Sequence, residues 1–185
     1  KLNWVKDAHN ITEVNSPTWT VDRGYTGNGS SMYLDSGYNP STQGVNYTLN
    51  DASMGVYIRT NVQEGTYEVG SSIPLVGTIY IFSRDVDDKA YITINITAGV
   101  VSNLYTDSRG LTSGRRLASD DQRIYRNGVE GATAASLSAA IPSQNIYLLC
   151  LNNNGSAAAF SSKQMAFAFF GKGNINQQPL FNAVE

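Results

Sequence analysis

Short runs rich in Tyr, Val, Ile and Thr recur along the chain between clusters of Gly, Asn, Asp and Ser, and helical periodicity is nearly absent before the C-terminus. Alternation with a period of two puts successive side chains on opposite faces of a strand, so this pattern predicts an all-β protein. Strands are expected at residues 31–34, 45–49, 54–60, 65–69, 77–83 and 89–96. Further strands are expected at 100–105, 114–118, 123–125, 129–132, 146–151 and 165–170. About a dozen strands joined by short turns point to two packed antiparallel sheets.

The turns carry their own signals. Asn127-Gly128, between two short strands, supplies the two positive-φ positions of a type I′ hairpin turn. The polar link Arg-Asp-Val-Asp-Asp-Lys at 84–89 predicts a second hairpin, and Thr97-Ala98-Gly99 a third antiparallel link. Residues 132–140 read as a small-residue connection. From residue 175 the pattern changes: Asn residues suit a helix cap, Pro179 is tolerable in a first turn, and Leu180, Phe181 and Val184 fall at helical spacing. One amphipathic helix should dock on the sandwich edge.

Composition narrows the class. The chain has 185 residues, enough for one generous β-sandwich, and 41% of them are hydrophobic, enough for a two-sheet core. A single domain over 1–185 is expected. A net charge of −2 lacks the basic field that a phosphate backbone attracts, which argues against nucleic acid. The only cysteine, Cys150, sits in an apolar run and reads as a buried hydrophobe, so no disulfide framework exists and a reducing compartment fits. No stretch reaches the ~18 apolar residues of a membrane span. The chain opens Lys-Leu-Asn-Trp rather than with Met, which reads as a piece excised or processed from a longer protein. Sequons at Asn10, Asn28, Asn46, Asn95 and Asn154 carry little weight in so Asn-, Ser- and Thr-rich a chain.

Candidate chemistry is sparse. Asp85 and Asp87 have the alternate spacing that a strand-borne carboxylate pair needs, but they lie in a turn link, where Asp is favoured for bonding nearby amides. Glu64 with Glu68, and Asp120 with Asp121, read as solvated turn residues. His9 is the only histidine and reads as a surface residue, so a Ser-His-Asp triad and a tetrahedral zinc site both lack members. Loop acids around Asp107 or Asp35 leave structural calcium open, and no other cofactor is called for. Tyrosine is the more informative residue type, supplying 11 of the 19 aromatic side chains. Tyr25, Tyr38 and Tyr105, the last with Arg109 nearby, stand among Asn, Asp, Ser and Gly, the setting of a sugar platform in which a ring stacks on a pyranose and polar groups bond its hydroxyls. The bland alternative packs each tyrosine over a sheet edge. Trp4 and Trp19 read as plugs of the sandwich edge, and Tyr57, Tyr80 and Tyr91 as strand residues.

Five segments, in order, carry a resemblance. They are Asp-Arg-Gly-Tyr-Thr-Gly-Asn-Gly-Ser-Ser at 22–31, Tyr-Leu-Asp-Ser-Gly-Tyr-Asn-Pro at 33–40, Met-Gly-Val-Tyr-Ile-Arg-Thr at 54–60, Ile-Tyr-Arg-Asn-Gly-Val at 124–129, and Phe-Ser-Ser-Lys-Gln-Met-Ala-Phe-Ala-Phe-Phe-Gly-Lys-Gly at 160–173. With them the chain resembles the concanavalin A-like lectin/glucanase superfamily, in its laminin G-like jelly-roll branch. The resemblance implies a two-sheet jelly roll with a short C-terminal helix and a non-enzymatic module for adhesion to glycan or protein. It also implies the kind of domain found in bacteriophage virions, as a capsid decoration or a tail fibre contacting host-surface glycans or other virion proteins. The acidic Glu-x-Asp-x-Glu strand of the glucanases has no match here. The expected location is a virion surface, with a secreted or bacterial-surface protein as the alternative. A homo-oligomer would suit a virion, although no heptad or collagen-like tract marks one. Two other functions stay in view: a carbohydrate-binding module of a secreted polysaccharide-degrading enzyme, and a glycoside hydrolase in its own right.

Overall fold

The computed structural model describes residues 8–185, so the reading of Trp4 falls outside the described residues. The chain runs through β1 (Thr12–Val14), β2 (Thr18–Thr20), β3 (Gly24–Thr26), β4 (Tyr33–Asp35), the short helix α1 (Pro40–Gln43) and β5 (Ala52–Ile58). It continues with β6 (Val69–Ile73), β7 (Gly77–Phe82), β8 (Lys89–Ile96), β9 (Val101–Leu104), β10 (Gly110–Ala118), β11 (Asp121–Arg126) and β12 (Val129–Ala134). Last come β13 (Tyr147–Leu148), β14 (Leu151–Asn153), β15 (Ser156–Ala158), β16 (Gln164–Gly171) and α2 (Gln177–Val184).

These strands form two sheets. One is ordered β1-β4-β13-β6-β7-β8-β9, with the β14–β15 hairpin joined beside β6, and the other β12-β11-β10-β5-β16-β3-β2. Pairing is antiparallel except where β14 meets β6 and at the isolated bridge between Tyr67 and Phe160. The fold is a two-sheet antiparallel jelly-roll sandwich with a short C-terminal helix, as the strand pattern predicts. Alternate residues fill the space between the sheets: Met54, Val56 and Ile58 of β5 meet Ile79 and Ile81 of β7 and Ile92 and Ile94 of β8, all fully buried. No helix among the described residues is long and apolar enough to cross a membrane.

The departures from the predicted strands have local causes. Residues 45–49 form no strand. Tyr47 drives inward there as a buried plug, its hydroxyl 3.1 Å from Asn95 Oδ1, while Asn95 Nδ2 donates to the carbonyls of Thr48 and Leu49. Asn95 can do this because β8 shifts register against β7 at that point and its φ is +57°. The strand expected at 65–69 lies at Val69–Ile73 instead. The run 146–151 is split by Leu149, whose φ of +65° breaks the extended chain between β13 and β14. Cys150 follows it, fully buried, with burial pushing its thiol up to about 12. Asn127 and Gly128 both have positive φ, as their hairpin requires. Helix α2 starts at Gln177 rather than 175, with no side-chain cap bond from Asn176. It rests against β10 through Ser113 Oγ, which donates to Gln177 Oε1 at 2.6 Å.

One charged residue is structural. Arg116 is fully buried and donates to the carbonyls of Ile94, Ala118, Ser119 and Ser136, tying β8, the β10–β11 turn and the small-residue connection together. Burial draws its pKa down. Arg116→Met would keep the volume and strand those four carbonyls, so urea unfolding should show a loss of about 2–5 kcal/mol. A loss below about 0.5 kcal/mol, the range of an ordinary surface substitution, would contradict this role.

Candidate functional site

Several loops meet at one end of the sandwich: the segment after β5, the β7–β8 turn, the β9–β10 loop, the β11–β12 hairpin and the approach to β16. What holds them there is a run of buried polar contacts. Glu68 and Lys163, both without solvent exposure, form an ion pair between the start of β6 and the start of β16. Glu68 Oε2 also accepts the Ser83 N–H at 2.7 Å. The Ser83 carbonyl in turn accepts from Arg126 Nη2 at 2.6 Å, and Arg126 Nη1 donates to the Arg109 carbonyl at 3.0 Å. Burial pushes the Glu68 carboxyl up, against the pull of Lys163 and the Ser83 amide. Glu64 stands beside them, its Oε1 3.9 Å from Lys163 Nζ. Its oxygens accept from the hydroxyls of Ser161 and Ser162 and the Ser162 amide. Burial alone would raise Glu64, but those hydrogen bonds and the Lys163 charge outweigh it and hold the carboxyl below its ordinary value. The reading of Glu64 and Glu68 as solvated turn residues is therefore corrected, since both reach inward to Lys163.

Arg126 ends β11 on the same alternation as the core residue Ile124, so its side chain enters the open end of the sandwich. Only 9% of it is exposed. Its guanidinium lies 4.6 Å from the centre of the Tyr105 ring, a cation–π arrangement. Tyr105 reaches that place because Gly131 on β12 leaves room; a Cβ there would stand 2.1 Å from the Tyr105 hydroxyl oxygen. Burial lowers the Arg126 pKa to about 10. Outside this pair opens a cleft of about 400 Å³, bounded by Leu104, Tyr105, Asp107, Arg109, Arg126 and Asn127. Arg109 is exposed and grips Asp107 through two parallel bonds, Nε to Oδ1 at 3.1 Å and Nη2 to Oδ2 at 2.6 Å. That grip holds the Asp107 carboxyl below its usual range.

Of the four sugar-site residues expected from sequence, Tyr105 and Arg109 share this cleft and the other two lie elsewhere. Tyr25 belongs to β3 rather than a loop, is 4% exposed, and donates its hydroxyl to Glu13. Tyr38 packs against His9 and Phe170, with ring centres 5.5 and 6.0 Å away. Trp19 sits on the edge strand β2, 48% exposed, against the Tyr25 ring. His9 is half-buried and shares a hydrogen bond with the Gly37 carbonyl. Asp85 and Asp87 lie in the β7–β8 turn as expected, bonding the amides of Val86 and Lys89. Asp121 opens β11 and pairs with Arg123. Among the described residues no three His, Cys, Asp or Glu side chains converge on a metal-sized point. Asp35 is taken up by the Gly37 amide and Asn145, and Asp107 by Arg109, so neither gathers a calcium ligand set. Sequence reasoning missed Arg126 and Lys163. The available signal was a basic residue at an inward position of an alternating strand, in step with Ile124.

No protein-family model and no curated protein sequence matches the chain. Solved structures do. The binding domain of botulinum neurotoxin DC in complex with SialylT aligns with a TM-score of 0.64 at 11% identity, over 95% of this chain and 46% of that one. The same binding domain in complex with rat synaptotagmin II gives 0.64 at 11% identity, over 97% and 48%. NanB with Optactamide gives 0.57 at 12% identity, over 85% of this chain and 26% of that one. These similarities establish the β-sandwich fold, and this chain spans less than half the length of each of the three.

The end contacts can be tested apart from any ligand. Lys163→Met leaves the buried Glu68 carboxylate unpaired and should cost about 3–5 kcal/mol in urea unfolding, whereas Lys163→Met with Glu68→Leu should recover most of that loss. A double variant no more stable than the single one would show that the two side chains are not coupled.

Proposed function

We propose that the chain is a non-enzymatic adhesion module whose glycan site is the end cleft around Tyr105 and Arg109. The observation that carries this reading is the cleft itself. An aromatic ring, a guanidinium and loop polar groups border a volume of about 400 Å³, within the usual size range of small-ligand sites. They are joined to the buried Glu68–Lys163 pair through Ser83 and Arg126, so little ordering is needed on binding. The likeness to the binding domain of botulinum neurotoxin DC, in complex with SialylT in one structure and with rat synaptotagmin II in another, supports a module of recognition. The acids most open to a hydrolytic reading, Asp85 and Asp87, are committed to their turn, which supports a non-catalytic role.

Display on a bacteriophage virion, as a decoration or fibre domain contacting host glycans, is the setting the sequence resemblance favours. A carbohydrate-binding module of a larger secreted or cell-surface protein is the second reading, and the likeness to about a quarter of a NanB chain favours it.

A glycan array probed with the whole chain tests the adhesive role. Binding to a restricted set of saccharides is expected, and Arg109→Ala, at an exposed position, should weaken it about tenfold without lowering the melting temperature. A blank array across bacterial and animal glycans would leave a purely structural role.

A further inference from the structure

Arg126 carries more charge into the cleft than its hydrogen bonds account for. A guanidinium has five N–H groups. Two serve the carbonyls of Arg109 and Ser83, and Nε has no partner among the described residues. Nor does any described carboxylate form an ion pair with it. The acids whose charge reaches it are Glu68 and Asp107. Glu68 is held by Lys163 and the Ser83 amide, and Asp107 by Arg109. The other group facing it is the Tyr105 ring. A strap between two carbonyls needs donors but no net charge, and burying a charge without a counter-ion is unfavourable. An anion entering the cleft would supply that counter-ion, since charge-assisted bonds from a guanidinium to a carboxylate are stronger than those to neutral carbonyls.

Size separates the sources of such an anion. A bare sulfate or phosphate would fill a small part of about 400 Å³, whereas one or two sugar rings use it well. Resting on the reading of this cleft as a glycan site, we infer that it takes an acidic saccharide, a sugar acid whose carboxylate pairs with Arg126 while its ring lies along Tyr105. Specificity then comes from Arg126, and the exposed Arg109, already neutralised by Asp107, borders the entrance.

Titration calorimetry on the whole chain tests this with 3′-sialyllactose and a glucuronate-containing disaccharide, against lactose and inorganic sulfate. At least one acidic saccharide should bind about tenfold or more tighter than lactose. Arg126→Gln should remove the preference. Because that variant loses structural bonds as well, Thr106→Glu, at an exposed position bordering the cleft, places a negative charge there and should weaken acidic binding about tenfold with the melting temperature unchanged. Equal binding of lactose and both acidic sugars would overturn the inference while leaving the glycan reading intact. So would sulfate binding as tightly as the sugars, or Thr106→Glu without effect. If no saccharide binds here or on the array, the glycan reading itself falls.

Discussion

Burying an ionised group is tolerated only when other groups take over the work of water, and the open end of this sandwich buries three of them. Glu68, Lys163 and Arg126 lie under the loops, joined through the Ser83 peptide, whose N–H bonds Glu68 and whose carbonyl accepts from Arg126. Because each contact comes from a different element, satisfying the charges fixes the start of β6, the end of β7, the end of β11 and the start of β16 relative to one another. The β9–β10 loop that borders the cleft is tied to them through Arg126, which donates to the Arg109 carbonyl. The jelly roll supplies the frame, and the buried charges decide the shape of its end.

The same constraint separates the groups that can meet a ligand from those that cannot. Glu68 and Lys163 neutralise each other, and Asp107 and Arg109 do so at the surface. Arg126 is left with a ring on one side, two carbonyls, and the fields of acids already engaged. A pKa lowered to about 10 still leaves it charged at neutral pH. The electrostatic character of the cleft is thus set from beneath its surface.

Most of the fold was legible in the chain because strand alternation and turn chemistry are local. The strand at 89–96 falls where predicted, and Asn127-Gly128 turns with both φ values positive. Where alternation failed, a tertiary contact had replaced a strand: Tyr47 alternates with polar neighbours because it alone plugs the core against Asn95. The site was half legible. Tyr105 and Arg109 stand in one loop and could be read together, but Glu68 and Lys163 are 95 positions apart, and nothing local announces their pairing. Tyr25, between Gly24 and Thr26, stands among small and polar residues as Tyr105 does, yet pairing of β3 with β16 buries it. Loop-like composition does not distinguish a short edge strand from a true loop.

The role of Arg126 as counter-ion of the cleft's ligand is tested most directly by its side-chain Nε–Hε resonance, followed by NMR while an acidic saccharide is titrated into the whole chain. A saturable shift is expected with 3′-sialyllactose or a glucuronate disaccharide and none with lactose. A resonance that stays still while backbone amides elsewhere on the molecule move would contradict that role.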